Sequence, residues 1–168
     1  MQNFSRLLER LSDSGVDFVI IGGFAALTHG SSFMTRDVDV CADLSSENIA
    51  RLREALKDWN PRHRMTPQRL SFLDHPPTGQ SVNNLYIETD YGILDLLSQV
   101  LGLGDFARLR SGAEIIEVDG REYAVIGLPD LITAKEAVAR SRDLLVAKEL
   151  RAIAAKRGMD IPPPRSAS

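Results

Sequence analysis

Asp37 and Asp39 stand two residues apart in the run Asp37-Val38-Asp39-Val40. On a strand, side chains alternate between faces. Both carboxylates then share one face, roughly 6.6 Å apart along the backbone, while both valines turn to the core. Two acids held this close repel each other unless a cation lies between them. A hard ion that takes oxygen ligands, such as magnesium, suits that place. Upstream, Gly22-Gly23 separates an apolar run over residues 16–21 from a short helical stretch over 24–29. Glycine lets the backbone approach a ligand closely, and the amides at a helix start favour an anion such as phosphate. Taken singly, the acids fit an ordinary solvent-facing strand and the glycines a plain turn. Taken together, in this order, they describe phosphates over the glycine turn and metal over the acids. A third carboxylate is read at Asp95, between Leu94 and Leu96. An acid in so apolar a segment is costly unless it is paired or bound to metal. Asp90, beside Gly92, is explained by the turn it sits in.

These residues need elements to hold them. Phe4, Leu7, Leu8 and Leu11 recur at helical spacing, and Gly15 ends that helix. A buried strand over 16–21, the glycine turn, a helix over 24–29 stopped by Gly30, a polar loop over 31–36 and the acidic strand over 37–40 follow. Ser45-Ser46-Glu47 starts a helix whose buried face is Ile49, Leu52, Leu56 and Trp59. Residues 61–79 show no clean period and read as loop-rich. Strands over 85–89 and 93–97 flank Asp90-Tyr91-Gly92, and 102–112 reads as a loop with one helical turn. Asp119-Gly120 marks a hairpin between 114–118 and 122–126. Pro129 opens a helix over 130–139, a last helix covers 141–157, and Gly158 closes it. The order predicts an α/β or α+β domain over 1–160, with a mixed β-sheet, flanking helices and a C-terminal helical pair. Residues 161–168, with three successive prolines, are expected to form a disordered tail.

A chain of 168 residues fits one such domain, and its 43% hydrophobic and 26% charged content is ordinary for a globular protein. A net charge of −3 excludes a strongly basic nucleic-acid footprint over the whole surface. It leaves room for a local basic rim, and Arg51, Arg53, Arg62, His63, Arg64 and Arg69 do cluster in sequence. Cys41 is alone, so no internal disulfide forms, and a cytoplasmic location is expected. The start of the chain does not read as a signal peptide. The longest apolar run, 18–27, is broken by two glycines and falls short of the roughly 20 residues a membrane helix needs. There is no Gly-x-Gly-x-x-Gly and no P-loop.

The strand, glycine turn, helix and Asp-apolar-Asp strand, with an acid on a later strand, resemble the DNA polymerase β-like nucleotidyltransferase superfamily. Within it, Gly22-Gly23-Phe24-Ala25, His29-Gly30-Ser31-Ser32, Thr35-Arg36-Asp37-Val38-Asp39, Thr89-Asp90-Tyr91-Gly92-Ile93-Leu94-Asp95 and Leu131-Ile132-Thr133-Ala134-Lys135 look like a group of small bacterial enzymes. These are related to the AbiEii-type toxins and the antibiotic nucleotidyltransferases. The resemblance implies transfer of NMP from an NTP to a hydroxyl, with release of pyrophosphate. It implies two magnesium ions (or manganese) on Asp37, Asp39 and Asp95, with Asp95 also receiving the acceptor's proton. Gly22, Gly23 and Lys135 would hold phosphates. Arg36 is assigned to a phosphate or to the neighbouring acid, with a plain surface arginine as the alternative. Ser31 and Ser32 either bond phosphate oxygens or cap the loop. Where relatives often carry an arginine, this chain has Phe33. Their Arg-Pro-Lys-Asp run is Arg140-Ser141-Arg142-Asp143 here, and Asp143 is expected to cap the last helix. The acceptor is open between tRNA, protein and a small molecule, and an antitoxin is a possible partner. The other reading is a catalytically inactive nucleotide-binding or toxin–antitoxin-type interaction module of the same fold.

Overall fold

A computed structural model describes residues 2–164. Leu7, Leu8 and Leu11 bury one face of the first helix, α1 (Gln2–Asp13). β1 (Phe18–Ile21) runs straight into α2 (Gly22–Thr28). The glycine pair is therefore the first turn of this helix rather than a separate turn, and the positive φ of Gly22 (67°) makes the reversal. β2 (Asp37–Ala42) and α3 (Ser46–Leu56) follow, with Ser45 capping α3 by accepting from the Asn48 amide.

The stretch over 61–79 is more ordered than its composition suggested. A 3₁₀ turn (Lys57–Trp59) leads to β3 (Arg62–His63), and Phe72 returns to the core fully buried. Non-periodic contacts hold it, which is why no period reads out. His63 N donates to Leu70 O (2.9 Å), and Arg53 Nε donates to Phe72 O (2.9 Å).

The central hairpin is β4 (Asn84–Thr89) and β5 (Gly92–Leu97). A small pair, β6 (Gln99–Val100) and β7 (Gly104–Asp105), then leads to α4 (Phe106–Ser111). Asp105 caps α4, and buried Leu109 anchors it, so this loop carries more than the one turn expected. The second hairpin is β8 (Glu114–Val118) and β9 (Arg121–Val125), as Asp119-Gly120 predicts. α5 (Leu128–Val138) and α6 (Ser141–Lys156) pack together as the C-terminal pair.

Seven strands form one mixed sheet in the order β3-β4-β5-β2-β1-β9-β8. β2 lies antiparallel to β1 and parallel to β5, which brings the acidic strand to the middle. Val38, Val40, Leu94 and Leu96 are wholly buried and fix the register of both central strands. Of the segment expected to be a tail, Ile161 packs against the core, and Arg151 donates to the carbonyls of Ile161 and Pro162. Residues 165–168 lie outside the described residues. Among the described residues no helix is long and apolar enough to cross a membrane.

Candidate active site

The parallel register sets Asp39 opposite Asp95, and Asp37 opposite Ile93. Neighbouring strands lie about 4.8 Å apart, and side chains at paired positions share a face. Asp37, Asp39 and Asp95 therefore form one acidic corner on the face away from the valines. Tyr86 continues the row as Asp95's partner across β4 and β5, and Ile21 is Asp39's partner on the other side. The glycines close the corner from behind. A Cβ on Gly22 would sit 2.3 Å from Asp39 Oδ2, and one on Gly23 would sit 2.7 Å from Thr35 Cβ. Only a residue without a side chain lets α2 lie this close to the acids.

Burial first, then the charges of Asp95 and Asp37, push the Asp39 carboxyl up to about 7. Lys135 and Arg64 pull it back only in part. Among the described residues the side chains of Asp37 and Asp39 have no hydrogen-bond or ion-pair partner. Asp95 is different. Arg64 Nε donates to its Oδ1 (3.1 Å) and Arg64 Nη2 to its Oδ2. Burial, joined by the charge of Asp37, still leaves Asp95 raised against the pull of Arg64. The donor chemistry, crowded carboxylate oxygens two of which pairs lack any cation, fits a hard divalent ion. No three His, Cys, Asp or Glu side chains among the described residues converge as a ready metal site.

Beside Asp37 and Asp39 opens a cleft of about 610 Å³. The loop 33–37 forms one wall, and Lys135, Arg140, Arg142 and Asp143 form the other. Asp143 is 5% exposed and accepts from Lys135 Nζ (3.3 Å) and Arg140 Nε (2.7 Å). It does not cap α6, whose start has no side-chain cap. Sequence reasoning missed this role. The signal was present, since an acid eight residues after Lys135 at a helix start can reach back to it when the two helices fold together. Burial raises the Asp143 carboxyl, but Arg140 and Lys135 outweigh it and hold the group below its usual range.

The structure thus brings Gly22, Gly23, Arg36, Asp37, Asp39, Asp95 and Lys135 around one site. Arg36 is exposed on the cleft wall. Ser31 and Ser32 do not line the cleft. Ser31 Oγ accepts from Phe33 N, and Ser32 donates through its amide (3.0 Å) and hydroxyl (2.5 Å) to Glu149 on α6. Phe33 lines the cleft and packs on the core. Asp90 is exposed in its turn. His29 is buried against Ile126 O (2.8 Å). The basic run also disperses: Arg51 lies near Asp17, Arg62 meets Asn60 and Arg69 meets Glu88, while Arg64 alone points to the acids.

Known structures share this arrangement of elements. The lincosamide antibiotic adenylyltransferase LnuA, solved with lincomycin bound, superposes with a TM-score of 0.61 at 15% identity, over 90% of this chain and 96% of that one. A candidate nucleotidyltransferase from Thermotoga maritima gives 0.53 at 14% identity, over 92% and 91%. The antibiotic-resistance factor ANT(2'')-Ia gives 0.53 at 15% identity, over 94% and 90%. No sequence-family profile matches the chain. No curated protein matches it either. The likeness is one of fold, and the fold is that of the nucleotidyltransferases.

Proposed function

We propose that this chain, built on the nucleotidyltransferase fold, moves an NMP group from an NTP to a hydroxyl acceptor, with release of pyrophosphate. One observation carries the reading: Asp37 and Asp39, with Asp95 beside them in register, line a cleft that also carries Arg36, Lys135, Arg140 and Arg142. Asp37 and Asp39 would hold a divalent ion, magnesium or manganese. When bound, that ion neutralises phosphate charge and raises the acidity of a hydroxyl near it.

The chain's own groups do the rest. Lys135, fixed by Asp143, and Arg36 draw the triphosphate into the cleft. The first-turn amides at Gly22 and Gly23 are assigned to the same phosphates. Asp95, next to Asp39 in register, accepts the hydrogen bond of the acceptor hydroxyl and holds it toward the α-phosphorus. Positioning and fixed charge carry the rate, with no covalent enzyme intermediate. The acceptor is the open term. Lincomycin in LnuA shows that this fold accommodates a small molecule, while tRNA and protein hydroxyls remain the other classes.

The test is incubation with each labelled NTP and magnesium, with cell RNA, protein and small-molecule fractions offered in turn. Label should enter one fraction. Asp37→Asn with Asp39→Asn should lower that transfer by at least about 10³-fold. Transfer that survives in the double variant sinks the proposal. Nucleotide binding without label in any fraction favours the inactive binding module instead.

A further inference from the structure

We propose that Arg64 takes the place of a second cation at Asp95, so that the site holds a single divalent ion on Asp37 and Asp39. The inference rests on the transferase reading above and departs from the two-ion arrangement the resemblance implies.

Arg64 engages both oxygens of Asp95, Nε with Oδ1 at 3.1 Å and Nη2 with Oδ2. Two parallel bonds from a guanidinium form the strongest ordinary carboxylate pair, and the guanidinium stays charged at any working pH. The arginine is held in place from several directions. Its amide donates to Tyr86 O (3.0 Å), which extends the ladder past β3. Its guanidinium lies over the Tyr86 ring, 5.5 Å from the centroid. Nη1 reaches Met65 Sδ at 3.3 Å. Tyr86 is the register partner of Asp95, so the strand pair that presents the acid also presents the platform for its counter-charge. The pair is sheltered, with side chains 25% and 14% exposed.

Asp37 and Asp39 offer the contrast, since neither has a cation partner among the described residues. A divalent ion entering between them displaces no paired arginine or lysine. An ion ligating Asp95 must expel a guanidinium and leave it within a few ångströms of a dication, where like charges repel strongly. Arg64 thereby acts as a positioning residue. It balances Asp95 and fixes the direction in which that carboxylate receives the acceptor hydroxyl.

The experiment loads the intact protein with Mn2+ and the α,β-methylene analogues of the four nucleoside triphosphates. Bound manganese is counted by equilibrium dialysis, and spin coupling is read by electron paramagnetic resonance. One uncoupled ion per chain is expected for wild type. Arg64→Ala should take up a second, coupled ion, and Arg64→Ala with Asp95→Asn should return to one. If Arg64→Ala does not melt cooperatively, Arg64→Gln serves, with the same expected gain. Two ions in wild type, or one ion in a folded Arg64→Ala, overturn the inference and leave the transferase reading intact. No bound manganese in wild type removes the transferase reading itself.

Discussion

Two sheltered carboxylates flank the paired aspartates, and each is held by an arginine. Asp143 lies under the cleft wall with Arg140 and Lys135 on it. Asp95 lies across the strand from Asp39 with Arg64 on it. Burial raises both, yet Asp143 ends below its usual range and Asp95 above. The neighbours make the difference. Asp143 has two cations and no acid beside it, whereas Asp95 has one cation and feels Asp37. The first carboxylate is satisfied and acts as a fastener. The second has its charge balanced by Arg64 yet stays raised, so it still gains from a hydrogen-bond donor, which is the state a group needs if it is to meet substrate.

Exchanging the two acids should separate these roles. Asp95→Asn should lower transfer by about 10²–10³-fold and change stability by less than about 1 kcal/mol, because the ionised form it removes is poorly stabilised. Asp143→Ala should do the reverse first. It leaves Lys135 beside an empty, sheltered position and should cost about 2–4 kcal/mol, a fall of roughly 5–15 °C in Tm. Calorimetry and labelled transfer on the same preparations check both. Equal stability losses in the two variants would show that the carboxylates are not distinct in kind.

Titration separates the same regions by sign. The folded Asp39 carboxyl titrates at about 7, above its ordinary 3.8. Between these values the folded chain holds a proton that the unfolded chain has lost, so this group's contribution falls as pH rises from about 4 to about 7. Asp143 is held below its usual range, so its contribution is present above the unfolded value and is lost in acid. Asp39→Asn should therefore be more stable than wild type at pH 8, by on the order of 2–4 kcal/mol. The two should converge near pH 4. A constant gap across that range would exclude Asp39 ionisation as the cause. The destabilisation at neutral pH marks what the acidic corner gives up in order to hold a cation.

Gly22 tests how tightly the corner is built. Alanine there meets a φ of +67° and places its Cβ 2.3 Å from Asp39 Oδ2. The backbone cost is about 1–2 kcal/mol. The carboxylate must also turn aside, so transfer should drop by roughly 10-fold or more. Transfer at the wild-type rate in a folded Gly22→Ala would mean that the position of Asp39 is not critical.

Much of this was legible before any coordinates, and the boundary follows physical range. Asp37, Asp39 and Asp95 read from alternation and from an acid's cost among leucines, both local signals. The hairpin at Asp119-Gly120 and the cap at Ser45 are equally local. What could not be read are partners fixed by folding. Arg64 reaches Asp95 over 31 positions, and its neighbours in sequence point elsewhere. Asp143 looked like a helix cap because acids favour that place. Lys135 claims it only when α5 and α6 fold back on each other. The ordering of 61–79 depends on Phe72 reaching a core that composition does not reveal.

Ser32 is the sharpest case of a residue whose type suggested chemistry and whose surroundings assign it elsewhere. Its hydroxyl and amide both go to Glu149, 117 positions away on α6, and not into the cleft. Ser31 first and then Ser32 lower the Glu149 carboxyl, and the Ser32 bonds tie the loop after Gly30 to the last helix. Arg142, donating to Met34 O, ties the same loop again. One exposed fastener of two contributes little, so Ser32→Ala should cost no more than about 1 kcal/mol. Transfer should stay within about twofold of wild type, because Arg142 still holds the wall that carries Arg36. Loss of transfer by roughly 10-fold with an unchanged melting curve would instead place the Ser32 hydroxyl on a phosphate, and the cleft would have to extend past Met34 to reach it.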